Sequence, residues 1–295
     1  MLTVRTDLAV EAHDLWQEGA EKATKIKGVK ADDDHFQGFP VHRVEILDRE
    51  GEKALGKPVG TYLTMDISDY WRRSSDSFSR VVKALAGLLE PLLPEKGPVL
   101  VSGLGNAAMT PDALGPQTVN HLLVTRHLGK ILPMLRPVSA LAAGVLGTTG
   151  IEVAEWVRGV SQRVKPAAVV LVDALAARDL DRLCNTIQLA DSGLIPGSGV
   201  GNHRMALNRE TLGIPVLSVG VPTVVDAATV ARDVLAESGI ENVDPAALKG
   251  RGSRLFVTPD SIDQKVRDLG KVLGYGISMA LQPGLELKDL TALLE

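Results

Sequence analysis

One cysteine, Cys184, is all the thiol this 295-residue chain carries. A lone cysteine excludes an intramolecular disulfide and fits a reducing compartment. No strand-end turn or histidine partner presents it as a nucleophile, so it reads as a buried structural residue. Aromatics are nearly as scarce, at 3%, and a core without rings must be packed from Val, Leu, Ile and Ala. Basic charge is not in excess either. The formal net charge of −4 argues against a sequence-independent grip on nucleic acid, which calls for a basic surface. Long apolar runs are missing: PVSALAAGVLGTTGI, residues 137–151, is too short and too glycine-broken to span a membrane. Asp7 and Glu11 stand where a secretory signal needs apolar residues. The expectation is a soluble cytoplasmic protein with no membrane and no direct nucleic-acid partner.

What is present is the texture of a packed domain. The chain is 45% hydrophobic and 23% charged, enough for a sizeable core. Residues 37–67 hold two alternating segments, FPVHRVEIL and GTYLTMDI, around the charged stretch DREGEKALGK, a hairpin pattern. DSFSRVVKALAGLLEPLL spaces Phe78, Val81, Val82, Leu85, Leu88, Leu89 and Leu92 as one helical face, with Asp76 or Ser77 as cap. From residue 99, strand-like runs (VLVSG, PVSALAA, AAVVLVD, TIQLAD, IPVLSVG) are interleaved with the helical patterns GPQTVNHLLVTRHL, IEVAEWVRGVSQRV and VDAATVARDVLAESG. Runs without polar alternation, separated by helices, predict a mainly parallel sheet covered on both faces. Residues 239–254 read as a surface loop. The last helix is expected from Thr258 as cap, with Pro259 at its first position, to about Leu281. No repeat or linker divides the chain, so 1–295 reads as one domain.

In open parallel sheets the working crevice lies beyond the carboxyl ends of the strands. Asp112 follows the glycine turn after VLVSG, Asp173 ends AAVVLVD, and Asp226 follows IPVLSVGVPTVV. If the first two strands are neighbours, Asp112 and Asp173 face one cleft. Two carboxyls in a poorly solvated cleft do not both ionise easily, so one keeps a proton while the other serves as base, which suits activation of water against a peptide carbonyl. The competing reading is helix capping, which aspartate favours. Asp226 is read as a cap; for Asp112, Pro111 sets a rigid turn and Gly115-Pro116 starts the helix only later. Arg178 is open to three readings: partner of Asp173, substrate clamp, or solvated helix face. The stretch GSGVGN (197–202) could cradle an anion through backbone N–H groups, but neither glycine run has phosphate-loop or dinucleotide spacing. His121, His127 and His203 read as ordinary histidines. Without HExxH or a Cys/His cluster no metal site and no cofactor are indicated, and no GxSxG elbow presents a serine.

SGLGNAAMTPDALGP, LLVTRHL, AAGVLGTTGIE, VLVDALAAR, TIQLADSGLIPGSGVGNHR, TLGIPVLSVGVPTVVDA and LFVTPDSID, in this order and preceded by VRTDLAVEA, closely resemble the germination proteases of endospore-forming bacteria. The resemblance implies an α/β/α sandwich related to the hydrogenase maturation proteases. It implies an endopeptidase of the spore core that begins degradation of small acid-soluble spore proteins during germination. It also implies a self-processing zymogen that assembles as a tetramer. The family's two essential aspartates fall on Asp112 and Asp173. Its substrates are cut after the first acid of a Glu-Ile-Ala-Ser-Glu-like segment, and Asp7-Leu8-Ala9-Val10-Glu11 has the same order. The implied processing cut therefore lies between Asp7 and Leu8, with 1–7 as pro-segment. Arg178, Arg126 and Arg204 are candidates for reading the substrate acid, since Arg pairs bidentately with carboxylate. Relatives carry a long insertion where this chain has only 239–254. Two other functions stay open: a metal-dependent maturation-type protease, with His203 the one candidate third ligand, and a non-catalytic module binding nucleotide or phosphate on the glycine loops.

Overall fold

The computed structural model describes residues 6–19, 26–72, 74–198, 204–240 and 255–294. After a first helix, α1 (Ala9–Gly19), strands β1 (Val29–Phe36), β2 (Phe39–Ile46) and β3 (Gly60–Asp66) form an antiparallel meander. β2 and β3 pair as the alternation in 37–67 predicts, but their connection holds a helix, α2 (Arg49–Leu55). Asp48 caps it by accepting from the N–H groups of Glu50 and Gly51, and Gly56 closes it in the left-handed region. β1 has no counterpart in the sequence reading. Its segment VKADDDHF is largely exposed and carries three consecutive aspartates, so only backbone pairing with β2 defines it.

The helix α3 (Ser77–Leu89) leads into the α/β part: β4 (Val99–Leu104), α4 (Leu114–Asn120), β5 (Val138–Gly144), α5 (Leu146–Thr149), α6 (Val153–Val164) and β6 (Ala168–Ala177). Then come β7 (Thr186–Ala190), α7 (Arg209–Leu212), β8 (Val216–Asp226), α8 (Ala227–Glu237), β9 (Phe256–Val257), α9 (Ile262–Leu281) and α10 (Leu287–Leu294). Among the described residues nine strands join one sheet in the order β1-β2-β3-β7-β8-β6-β4-β5, with β9 on β8. β5, β4, β6 and β8 run parallel. β7 is antiparallel to both β8 and β3, so the apolar runs of the sequence build the parallel half of a mixed sheet. Their side chains alternate between two cores. Val99, Val101, Val170, Val172 and Val219 pack with α3, α4 and α9. Leu100, Val169, Leu171 and Val216 pack with α6. The result is a three-layer α/β/α arrangement, the one that covers a parallel sheet on both faces.

Two helices differ from the sequence reading. α4 stops at Asn120 instead of running to Leu128, because Leu122 and Leu123 turn into the core. Thr125 meanwhile exchanges hydrogen bonds with Val138 at the start of β5. α9 begins at Ile262, not Pro259, because the Thr258 hydroxyl donates to the Thr223 carbonyl instead of capping the helix. Beyond Ile240 the loop 239–254 lies outside the described residues. Among the described residues no helix is long and apolar enough to cross a membrane.

The glycines after β4 bring strand and helix backbones together. A Cβ on Gly103 would lie 2.2 Å from the Gly115 carbonyl oxygen, and one on Gly105, at φ +107°, only 2.0 Å from the Asp112 carbonyl oxygen. Any larger residue at either position would push the Asp112 turn away from the sheet.

Candidate active site

Asp112 ends a single 3₁₀ turn, Thr110–Asp112, between β4 and α4. Its Oδ2 accepts from the Asn106 N–H at 2.8 Å. The buried Thr223 on β8, one strand beyond β6, donates its hydroxyl to the Pro111 carbonyl at 2.7 Å and ties the turn down across the sheet. Asp112 caps no helix: α4 is preceded by Ala113 and lacks a side-chain cap.

Asp173 is not the end of its strand, as the sequence suggested. β6 continues to Ala177, paired with β8 throughout across a register shift after Leu175. β4, on the other side, stops pairing at Val172. From Asp173 onward one edge of β6 is therefore without a parallel neighbour, and there it opens into a cleft. Asp173 is 9% exposed and accepts from the N–H of Ala174, its one hydrogen bond among the described residues; it caps no helix there. Asp226 does cap, accepting from the Ala228 N–H at 2.8 Å at the start of α8.

Asp112 and Asp173 line the same cleft, of about 480 Å³, with Asp7, Glu152, Arg204 and Phe256 among its other walls. Burial raises the Asp173 carboxyl well above the ordinary carboxylate range, and the charges of Asp112 and Asp7 push it further. Burial also raises Asp112, against the stabilising Asn106 N–H. Asp173, deeper and facing two other carboxyls, keeps its proton to the higher pH. One acid and one base at the same pH is what such a pair makes available.

The arginines divide. Arg204 lines the cleft, but its Nη1 lies 3.2 Å from Glu152 Oε1. Arg126 is exposed in the turn after α4 and lines none of the cleft. Arg178 contributes its backbone N–H to Glu11, while its Nε is buried without a partner among the described residues; it does not line the cleft either. His203 and most of GSGVGN lie outside the described residues; His127 is exposed. Among the described residues no three His, Cys, Asp or Glu side chains converge as metal ligands. Cys184 is fully buried, and burial pushes its thiol up to about 11.

The N-terminal segment is docked against this site. The Asp7 N–H donates to the Ala176 carbonyl, and the Ala176 N–H returns a bond to Asp7 Oδ2 at 2.9 Å. Asp7 Oδ1 accepts from the Ser198 hydroxyl at 2.8 Å. Gln188 on β7 spans the next peptide units: its Nε2 donates to the Asp7 carbonyl at 3.1 Å, and its Oε1 accepts from the Ala9 N–H at 2.8 Å. Leu8 is fully buried beside Val10, Ala177 and Val225. The buried Glu11 carboxylate accepts from the Thr6 hydroxyl and from the N–H groups of Arg178 and Asp179. Gln188, Ser198 and Lys57 escaped the sequence reading. The one available signal was a glutamine inside the otherwise apolar strand TIQLA, where an amide is tolerated only if it has partners.

The chain's relatives are peptidases. A family profile described as Germination protease (Peptidase_A25) matches residues 9–238. The germination protease of Caldanaerobacter subterraneus subsp. tengcongensis is 42% identical over 325 aligned positions, covering 100% of this chain and 99% of the relative. That of Clostridium perfringens strain SM101 is 42% identical, covering 100% of both. The chain belongs to the germination protease family. A solved [NiFe] hydrogenase maturation protease, HycI from Thermococcus kodakarensis, superposes with a TM-score of 0.37 at 18% identity, covering 66% of this chain and 98% of that one. That likeness is too loose to carry mechanism.

Proposed function

We propose that this germination protease is an endopeptidase that hydrolyses small acid-soluble spore proteins with Asp112 and Asp173 as its working pair. The observation that carries the reading is that both carboxyls line one cleft, Asp173 buried and Asp112 half-buried, with Asp173 the more strongly biased toward its protonated form. Asp112, held by the Asn106 N–H, takes a proton from water. The hydroxide adds to the peptide carbonyl carbon while Asp173 gives its proton to the carbonyl oxygen. Collapse of the tetrahedral intermediate breaks the C–N bond, the amine leaving with the proton that Asp112 had taken; one of the intermediate's two hydroxyl protons returns to Asp173 and the other stays on the new carboxyl group. Incubation with a small acid-soluble spore protein and mass analysis of the fragments is the test. An intact substrate, or unchanged turnover in Asp112→Asn, would overturn the proposal.

The same reading makes the chain a zymogen that cuts itself between Asp7 and Leu8. The docking of Asp7 supports this, since it sets Asp7 in the cleft that holds the proposed pair. N-terminal sequencing after incubation should yield Leu8 as the new first residue, and Asp112→Asn should prevent the cut. A working location in the spore core and a tetrameric assembly belong to the same proposal; light scattering of the purified protein tests the tetramer.

A further inference from the structure

Of the three candidate arginines Arg204 alone lines the cleft, paired there with Glu152; a separate group of donors surrounds Asp7. Asp7 fills a polar recess in which three donors meet a carboxylate side chain and the carbonyl that follows it: Ser198 Oγ and the Ala176 N–H on the two carboxylate oxygens, Gln188 Nε2 on the main-chain oxygen. The Asp173 carboxyl, raised in part by the charge of Asp7, stands against it. Behind it lies a cavity of about 160 Å³ walled in part by Lys57, Tyr62, Asp173 and Ser198. The half-buried Lys57 is the cation of this recess. Its Nζ donates to the Thr6 carbonyl at 2.8 Å, and its electrostatic partners are Asp7 and Glu11. Were Asp7 to leave after a cut at Leu8, Ser198, Ala176 and Gln188 would each lose an acceptor, and Lys57 one of its two counter-charges. Unpaired buried donors favour a replacement of the same chemistry.

We propose that the recess vacated by Asp7 is the specificity subsite of the enzyme: it takes the acidic side chain of the substrate residue that supplies the scissile carbonyl. Lys57 and Ser198 read the charge, and Gln188 positions the carbonyl. The free volume behind Asp7 accommodates the extra methylene of glutamate. In the chain described here the subsite is occupied by the protein's own Asp7, which makes that residue both substrate mimic and plug.

This inference rests on the peptidase reading, and two measurements keep the two separable. The first compares kcat/KM for a peptide pair differing only in Glu or Gln before the scissile bond. The wild-type chain should prefer Glu by about tenfold or more, as expected for a charge-assisted hydrogen bond. Lys57→Met and Ser198→Ala should each bring the ratio toward one, chiefly through KM. A Glu preference that survives both substitutions overturns the assignment. The second needs no turnover. Full-length Asp7→Gly chain, which empties the recess, is titrated with N-acetyl-glutamate amide and N-acetyl-glutamine amide while its thermal midpoint is followed. The glutamate compound should stabilise at about tenfold lower concentration, and Lys57→Met in the same chain should abolish the difference. Equal stabilisation by both compounds, or by neither, overturns the subsite even if the protein proves to be a protease. Discrimination here, with no cleavage of any peptide, would instead leave the subsite standing and remove the proteolytic reading.

Discussion

The two halves of β6 put the same backbone to opposite uses. From Ala168 to Val172 the strand is flanked by β4 and β8, and every side chain is apolar and buried. From Asp173 to Ala177 it keeps β8 but loses β4, and the vacated edge meets a carboxyl pair, a cleft and the N-terminal segment. The first half can be read as stability and the second as chemistry. The boundary between them is the single peptide unit joining Val172 to Asp173. Where a strand outlives its neighbour, its backbone donors and acceptors become available for something other than the sheet.

The sharpest break of that comparison is in rate. Asp112→Asn and Asp173→Asn should each lower kcat by about 10²–10⁴-fold while the far-ultraviolet spectrum stays native, since Asn keeps shape but cannot exchange the proton. On the other side of the boundary, Leu171→Ala should cost about 2–5 kcal/mol in denaturant unfolding, because that side chain is fully buried between β6 and α6. Its effect on kcat per folded molecule should be small. A third difference appears in pH dependence. Asp173 is raised in the folded protein and ordinary in the unfolded chain. Its contribution to stability is therefore complete below the ordinary carboxyl range and is lost as pH rises through the raised folded value. Asp173→Asn should accordingly have a higher thermal midpoint than the wild type at neutral pH, the gap closing toward about pH 4. The smallest effect is expected at Arg126→Ala, exposed and outside the cleft. Stability there should move by no more than about 0.5 kcal/mol, and the Glu-over-Gln preference should not move at all.

Legibility in the sequence followed burial. β4, β6 and β8 were readable because strands covered on both faces are rich in Val and Leu without polar alternation. β1 was not, because an exposed edge strand carries no pattern beyond its backbone pairing. The short α2 hid inside what read as a charged turn, and α4 was drawn too long because Leu122 and Leu123 keep helical spacing after the helix has ended. Position after the strands and the family resemblance together point to the candidate pair, yet in the sequence Asp173 reads as a strand terminus. Its true setting depends on where β4 stops, a fact about another strand. The seat of Asp7 was invisible for the same reason: Lys57, Ala176, Gln188 and Ser198 come from four separate stretches of chain.

The outermost strand has a consequence of its own. β1 is the open margin of the meander, and an open margin is an invitation for a second molecule to add its own strand and a third to follow. Asp32, Asp33 and Asp34 sit in the middle of that margin, all exposed. A copy approaching in register would bring like charges against one another and bury them together. The residues that make this segment unrecognisable as a strand also set charge against a further strand joining that margin.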